Sequence, residues 1–317
     1  MLNKYSSILL EQFSKRKFIE PFYFEVFQNP DLRSSEYIRT ETTFDIDQLL
    51  NYHFVSDEIK QYLKTHPQIQ YKVNNNIYVS LTQNKVPDID YSKICKIKNF
   101  INDIFNTNIN PDIYLILQPM KKKITQPNYY TPHNINSGMT DQYKIVVFRY
   151  EEWEKVLIHE LIHCVYGRQT FDITPNLRDM YKINGEIKTN EAFIESQALI
   201  IYCLYVKQMY NKDIFMDEIQ FSLFQCYKIG RQFSQTTSVF SYYIVKTALL
   251  LNHNYYDFLK NNHKTKEEFK ILVDESLHDP IFINITTGND MEHSIIEQSD
   301  INNFLYQTLR MTMHTYL

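Results

Sequence analysis

Glycine and proline are scarce in this chain, with 5 and 10 among 317 residues. Disordered and fibrous proteins are enriched in both, so the composition excludes those classes. Long apolar runs are also missing: the longest, 198–206, is well short of the ~20 residues that a membrane span needs. The apolar stretch near the N-terminus is too short for a signal peptide, and 5–20 is interpreted as an amphipathic helix. We therefore expect a cytoplasmic protein that does not bind a membrane.

An excess of one charge sign is absent as well. The formal net charge is -4, and acidic and basic residues are mixed along the chain. Nucleic-acid binders carry clustered basic residues, so no nucleic-acid partner is expected. The four cysteines (Cys95, Cys164, Cys203 and Cys226) form no CxxC pair, and we expect them to be reduced and mostly buried.

Apolar residues are plentiful, at 44% hydrophobic and 15% aromatic, enough for a sizeable core. No repeat or low-complexity linker divides the chain, so 1–317 is predicted to be one domain of the α+β class. The apolar spacing predicts a mixed α/β part over 1–150 and a helical part over 151–317.

The predicted elements follow from apolar periodicity and from turn residues. In the first part they are helices over 46–65 and 91–105, a hairpin over 70–81, strands over 112–117 and 143–149, and an irregular loop over 119–142. In the second part they are helices over 151–167, 187–210, 213–229, 238–251, 265–276 and 297–314.

The chemistry-bearing motif is His159-Glu160-Leu161-Ile162-His163, on the helix predicted to start near Glu151 and to end at Gly167. Residues four apart share one helix face, so both imidazoles can bind one metal ion. The adjacent Glu160 would lie near the open position of a catalytic Zn²⁺ and act as general base. Zinc lowers the pKa of bound water to about 7, which supplies a nucleophile at neutral pH.

A catalytic zinc normally has a third protein ligand. The metzincin pattern would need glycine and histidine where the chain has Tyr166 and Gln169, so that class is excluded. Asp172 and Asp179 are aspartates that could supply the ligand. A glutamate, Glu191, is the other candidate.

The segment Thr189-Asn190-Glu191-Ala192-Phe193-Ile194-Glu195 resembles the second motif of the gluzincin metallopeptidases. The resemblance implies that Glu191 is the third zinc ligand and that Glu195 orients a ligand histidine. Because the two acids share a helix face, the reverse assignment stays open. The resemblance covers about 60 residues, 143–202, and the Gly-x-Met-Glu-Asn motif of the related aminopeptidases is absent.

Three strings, NSGMT at 136–140, EEWEKVLIHE at 151–160 and TSVFSYYIVK at 237–246, are also similar to uncharacterised proteins of large DNA viruses regarded as metallopeptidases. Such an origin would imply the host cytoplasm or the virion as location. The zincin resemblance implies that 143–149 is the edge strand that binds extended substrate. It also implies a donor for the oxyanion, for which Tyr242, Tyr243 and His253 are candidates. His133 would line the cleft or be a solvated loop residue.

The expected function is therefore hydrolysis of a peptide or isopeptide bond in a protein or peptide substrate, with Zn²⁺ as cofactor. One alternative is an inactive zincin-like interaction protein, such as a virion component, with a structural zinc. A hydrolase of a non-peptide amide and a chance motif without metal are the others. The sequence does not define the substrate, the choice between endo- and exopeptidase, or the oligomeric state.

Overall fold

The chain has a mixed α+β fold, as predicted. A computed structural model describes residues 26–27, 30, 32, 36–141, 143–287 and 307–314. The helix predicted over 5–20 lies outside the described residues. Among those that are described, no helix is long and apolar enough to cross a membrane.

The strands within the described ranges form two sheets. They are β1 (Arg39–Glu41), β2 (Gln68–Val73), β3 (Ile77–Thr82), β4 (Asp112–Leu117), β5 (Tyr129–Tyr130), β6 (Gly138–Thr140), β7 (Lys144–Val147), β8 (Lys182–Asn184) and β9 (Gln232–Gln235). The larger sheet has six strands in the order β1-β2-β3-β4-β7-β6, and the smaller has the order β5-β9-β8.

The helices cover both faces of the larger sheet and make up most of the second half. They are α1 (Ile46–Leu50), α2 (Asp57–Thr65), α3 (Ser92–Ile104), α4 (Pro132–Ile135), α5 (Trp153–Tyr166), α6 (Thr189–Tyr210), α7 (Phe215–Ile229), α8 (Lys246–Leu251), α9 (His253–Lys260), α10 (Lys266–Leu277) and α11 (Pro280–Thr287). A π-helical segment, Phe240–Val245, leads into α8.

The hairpin predicted over 70–81 is confirmed as β2 and β3, which pair antiparallel. Strands β3, β4 and β7 run parallel. Parallel neighbours need a crossover, and α3 supplies it between β3 and β4. On one face of the sheet, α1 and α2 bury Leu49 and Ile59 against Ile116 and Phe148. The other face packs against α3 and α5 within the main core.

The prediction that 143–149 is the edge strand is wrong. Strand β7 forms where 143–149 was predicted, but it lies inside the sheet, between β4 and β6. The edge is β6, which belongs to the segment predicted as an irregular loop. Asp141 Oδ1 accepts the N–H groups of Tyr143 and Lys144 at 3.0 and 2.8 Å, and this turn folds β6 back along β7. The same segment also contains β5 and α4.

The motif helix α5 agrees with its prediction at both ends within two residues. Its first ten residues are buried, and its last turn is partly exposed. Gly167 ends it with φ 56°, a conformation that favours glycine. The next α-helix along the chain, α6, packs against α5.

The second half differs from the prediction in four respects. Strands β8 and β9 were not predicted and lie between predicted helices, and helices α9 and α11 were not predicted either. The helix predicted over 238–251 begins as the π-helical segment. Most of the helix predicted over 297–314 lies outside the described residues, and 308–314 is not helical.

In the first half, the region predicted to be helical over 46–65 contains two helices, because Ser56 caps a new start for α2.

Candidate metal centre

Three of the predicted residues converge on one point between α5 and α6. His159 and His163 lie one turn apart on α5, and Glu191 is in the first turn of α6. The two Nε2 atoms are 3.1 Å apart, and Glu191 Oε2 is 3.4 Å from each of them. Among the described residues, these form the one group of His, Cys, Asp or Glu side chains whose atoms could share an ion.

Glu195 contacts the other side of the His159 ring. Its Oε2 lies 2.9 Å from His159 Nδ1, and its Oε1 is ion-paired with Lys155 Nζ. A hydrogen bond at Nδ1 directs Nε2 toward the centre, as a metal-binding histidine requires. The geometry therefore places Glu191 beside the two Nε2 atoms and Glu195 at Nδ1, on the other side of the His159 ring. Lys155 was not predicted as part of the site.

The charges at the centre depend on these contacts. Burial alone would lower the pKa of His159, but hydrogen bonds that the ring donates to the Glu191 and Glu195 carboxylates outweigh it and raise the pKa to about 9. Burial alone would raise the pKa of both carboxyls. Opposing it, His163 and His159 hold the pKa of Glu191 well below its usual value, and Lys155 and His159 lower the pKa of Glu195 to about 2. Both are therefore carboxylates at neutral pH.

Glu160, the proposed base, is held against the edge strand. Thr140 Oγ1 in β6 donates to Glu160 Oε2 at 2.5 Å. A Cβ added at Gly138 would lie 2.5 Å from Glu160 Oε1 and 2.8 Å from Val156 Cγ1, so a side chain there has no room. The contacts of Gly138 and Thr140 with Glu160 were not predicted from the sequence, because the register of β6 is a long-range property.

The three candidate oxyanion donors lie in different parts of the structure. Tyr242, on the π-helical segment, has its ring centroid 6.1 Å from that of His159 and lines the same cavity as His159 and Glu160. Burial, with three nearby carboxylates, raises the pKa of Tyr242 well above its usual value, so the hydroxyl keeps its proton. Tyr243 instead donates to the carbonyl of Leu309, and His253 pairs with Asp257 at the surface.

The remaining candidates are elsewhere. His133 contacts Ser56 and Glu58 on α2 and does not line the cavity. Asp172 accepts the N–H of Asn190 at 3.0 Å, and neither Asp172 nor Asp179 belongs to the converging group.

A cavity opens beside the centre, between β6 and α5. Its lining includes Gly138, Val156, Glu160 and Tyr242, together with Met311 from the C-terminal segment. Glu152, at the start of α5, accepts the N–H groups of Met311 and Thr312 at 2.7 and 2.6 Å. The segment 307–314 is thereby attached to the start of the motif helix.

No protein-family model, no curated protein and no solved structure matches this chain. Function is therefore inferred from the chemistry of the site. Two imidazoles and one carboxylate are a typical donor set for a catalytic zinc. The Glu160 carboxylate and the Tyr242 hydroxyl, from residues that line the same cavity, are groups that can move a proton and donate a hydrogen bond.

Proposed function

We propose that this chain is a zinc-dependent metallopeptidase of the gluzincin type, with a zincin-like arrangement of edge strand, motif helix and glutamate helix. The observation that carries the proposal is the convergence of His159 Nε2, His163 Nε2 and Glu191 Oε2 at 3.1–3.4 Å from one another.

The donor atoms fit zinc in number, type and spacing. Zinc ligands at about 2.0–2.1 Å in tetrahedral geometry are about 3.3 Å apart. The three observed separations, 3.1, 3.4 and 3.4 Å, lie around that value. A proton can form a hydrogen bond between two of these three atoms at a time, whereas a metal cation can bind all three at once. With three protein ligands, a tetrahedral ion keeps a fourth position for substrate or water, as catalytic sites do.

Zinc bound here would polarise the carbonyl of the substrate and lower the pKa of a water to about 7. Glu160 would then take the proton of that water and pass it to the leaving amine. Thr140 supports this role. Its hydroxyl donates a hydrogen bond to Glu160 Oε2, and Glu160 also lines the cavity.

Tyr242 is suited to donate a hydrogen bond to the oxygen on which negative charge develops. Its hydroxyl is protonated at neutral pH and its side chain lines the cavity beside His159. Removing one such donor typically costs ~10²–10³ in kcat. Of the three donors considered from the sequence, Tyr242 is the one that lies at the cavity.

Substrate would bind in extended form along β6. Among the described strands, β6 has a neighbour on one side alone, so its other backbone edge is open for β-addition. The strand contacts the motif helix at Gly138 and Thr140. A peptide added to this edge would therefore lie next to Glu160.

The test is digestion of a peptide mixture, of isopeptide-linked peptides and of a panel of non-peptide amides, read by mass spectrometry. Zinc-loaded wild-type protein is expected to cleave peptide or isopeptide bonds. Glu160→Gln should keep its zinc and lose cleavage by at least ~10²-fold, the usual contribution of a general base.

Cleavage of non-peptide amides alone would replace the peptidase proposal by another hydrolase. A zinc-loaded wild-type protein that cleaves nothing would indicate a structural zinc. Equal cleavage by wild type and Glu160→Gln would show that Glu160 is not the base.

A further inference from the structure

Lys155 is a buried charge at the site that the proposed chemistry does not use. It lies one turn before His159 on α5, and 1% of its side chain is exposed. Its ammonium is ion-paired with Glu195 Oε1, and its other described contact is the sulfur of Met311 at 3.7 Å. A buried lysine is costly unless it is paired, so its position beside a candidate zinc ligand needs a reason.

The two oxygens of Glu195 have different partners on the same helix. Oε1 contacts Lys155 and Oε2 contacts His159 Nδ1 at 2.9 Å. Residues four apart on α5 thus hold one carboxylate of α6 at two points. A carboxylate held at one point can rotate about its side chain, whereas two points fix its plane. The orientation of the His159 ring follows from the orientation of that carboxylate.

We propose that Lys155 is a positioning residue for the metal centre: its ammonium holds Glu195 so that Oε2 faces His159 Nδ1, and this strengthens zinc binding at His159. The inference rests on the proposed zinc site. Lys155 acts only through Glu195, since it contacts neither His163 nor Glu191 among the described interactions.

Without Lys155, Glu195 is a fully buried carboxylate whose remaining hydrogen-bond partner among the described residues is His159. Removing one member of a buried ion pair leaves an uncompensated charge, which the protein relieves by rotating or protonating the carboxylate. Either change weakens the hydrogen bond to His159. Loss of such a supporting contact typically lowers metal affinity ~10–100-fold.

Lys246 provides a matched control. It is as buried as Lys155, at 1% exposure, and lies in the same core, but its ammonium donates to Ser222 Oγ at 3.0 Å. Replacing either lysine by methionine removes a buried ammonium of the same size. Only Lys155→Met removes a hydrogen bond to Glu195, whereas Lys246 acts on that carboxylate through its charge alone.

The experiment measures zinc dissociation constants by competition with a fluorescent chelator. Lys155→Met is expected to bind zinc ~10–100-fold more weakly than wild type, and Lys155→Arg to recover most of the loss. Lys246→Met removes a charge near Glu195 but no hydrogen bond to it, so it should weaken zinc binding clearly less than Lys155→Met does. In a Glu195→Gln background, Lys155→Met should cause no further loss, because the carboxylate through which Lys155 acts is gone.

Equal losses from Lys155→Met with and without Glu195→Gln would overturn the proposal, as would unchanged affinity in Lys155→Met. Should Lys155→Met not fold, Lys155→Gln, which keeps a donor without the charge, serves in the same comparison.

A second readout does not need zinc. The His159 Nδ1 proton, hydrogen-bonded to Glu195, should give a downfield proton NMR resonance in the metal-free protein, present in wild type and Lys155→Arg and lost in Lys155→Met. If wild type binds no zinc, the proposed function fails, and this resonance still decides whether Lys155 orients the pair. Its persistence in Lys155→Met would refute the positioning role.

Discussion

Replacing Gly138 by alanine tests the contact between the edge strand and the proposed base. An added Cβ would lie 2.5 Å from Glu160 Oε1, whereas ordinary contact begins at 3.4 Å, so the carboxylate must move by about 0.9 Å. A displacement of ~1 Å in catalytic geometry can cost ~10²-fold in rate, or ~2.7 kcal/mol of transition-state stabilisation. Overpacking against Val156 should also lower the free energy of unfolding by ~1–3 kcal/mol.

The assay combines kcat/KM on the best peptide of the screen, zinc content and urea unfolding. Gly138→Ala should lose activity while retaining zinc, because the nearest atoms to the new Cβ belong to Glu160 and Val156. Gly167→Ala is the control: it forces a side chain into φ 56° with nothing within 4 Å, which costs ~1–2 kcal/mol without touching Glu160. Full activity in Gly138→Ala, or an equal loss in Gly167→Ala, would refute the reasoning.

Three further predictions concern the centre. Glu191→Ala should weaken zinc binding more than Glu195→Ala, for which a loss of ~10–100-fold is expected. Chelator competition measures both losses, and the opposite order would make Glu195 the ligand and Glu191 the supporting residue. Because the pKa of His159 is about 9 without metal, zinc must displace its proton at pH 7. Zinc affinity should therefore rise with pH up to about 9, and calorimetry in buffers of different ionisation enthalpy should detect proton release; a pH-independent affinity would contradict this. Tyr242→Phe should lower kcat ~10²–10³-fold with zinc retained, whereas Tyr243→Phe should leave kcat unchanged; equal effects would exclude Tyr242 as the donor.

The parts of the site that were predictable are local. His159 and His163 share a helix face through a spacing of four, and the apolar positions around them predict the helix itself. Glu191 is separated along the chain, and it was recognised through the resemblance of its segment. Its convergence with the histidines depends on how α6 packs against α5, which no periodicity encodes.

The parts that were missed are long-range contacts. Strand β6 has three residues, one of them glycine, so it lacks the alternation that identifies a strand. Lys155 lies four residues before His159, and His163 lies four residues after it. The partner of Lys155, Glu195, is on another helix, so the spacing alone does not reveal the pair. Met311 lines the cavity because its backbone N–H donates to Glu152. That residue is 159 positions earlier in the chain.

The most direct test of the zinc site is metal content by mass spectrometry, on protein purified without chelators or affinity metals. Wild type is measured beside a His159→Ala/His163→Ala double variant. The convergence of His159, His163 and Glu191 predicts about one zinc per chain in wild type and none in the variant. Wild-type protein that holds no zinc after reconstitution, or a variant that holds as much as wild type, would contradict the proposed function.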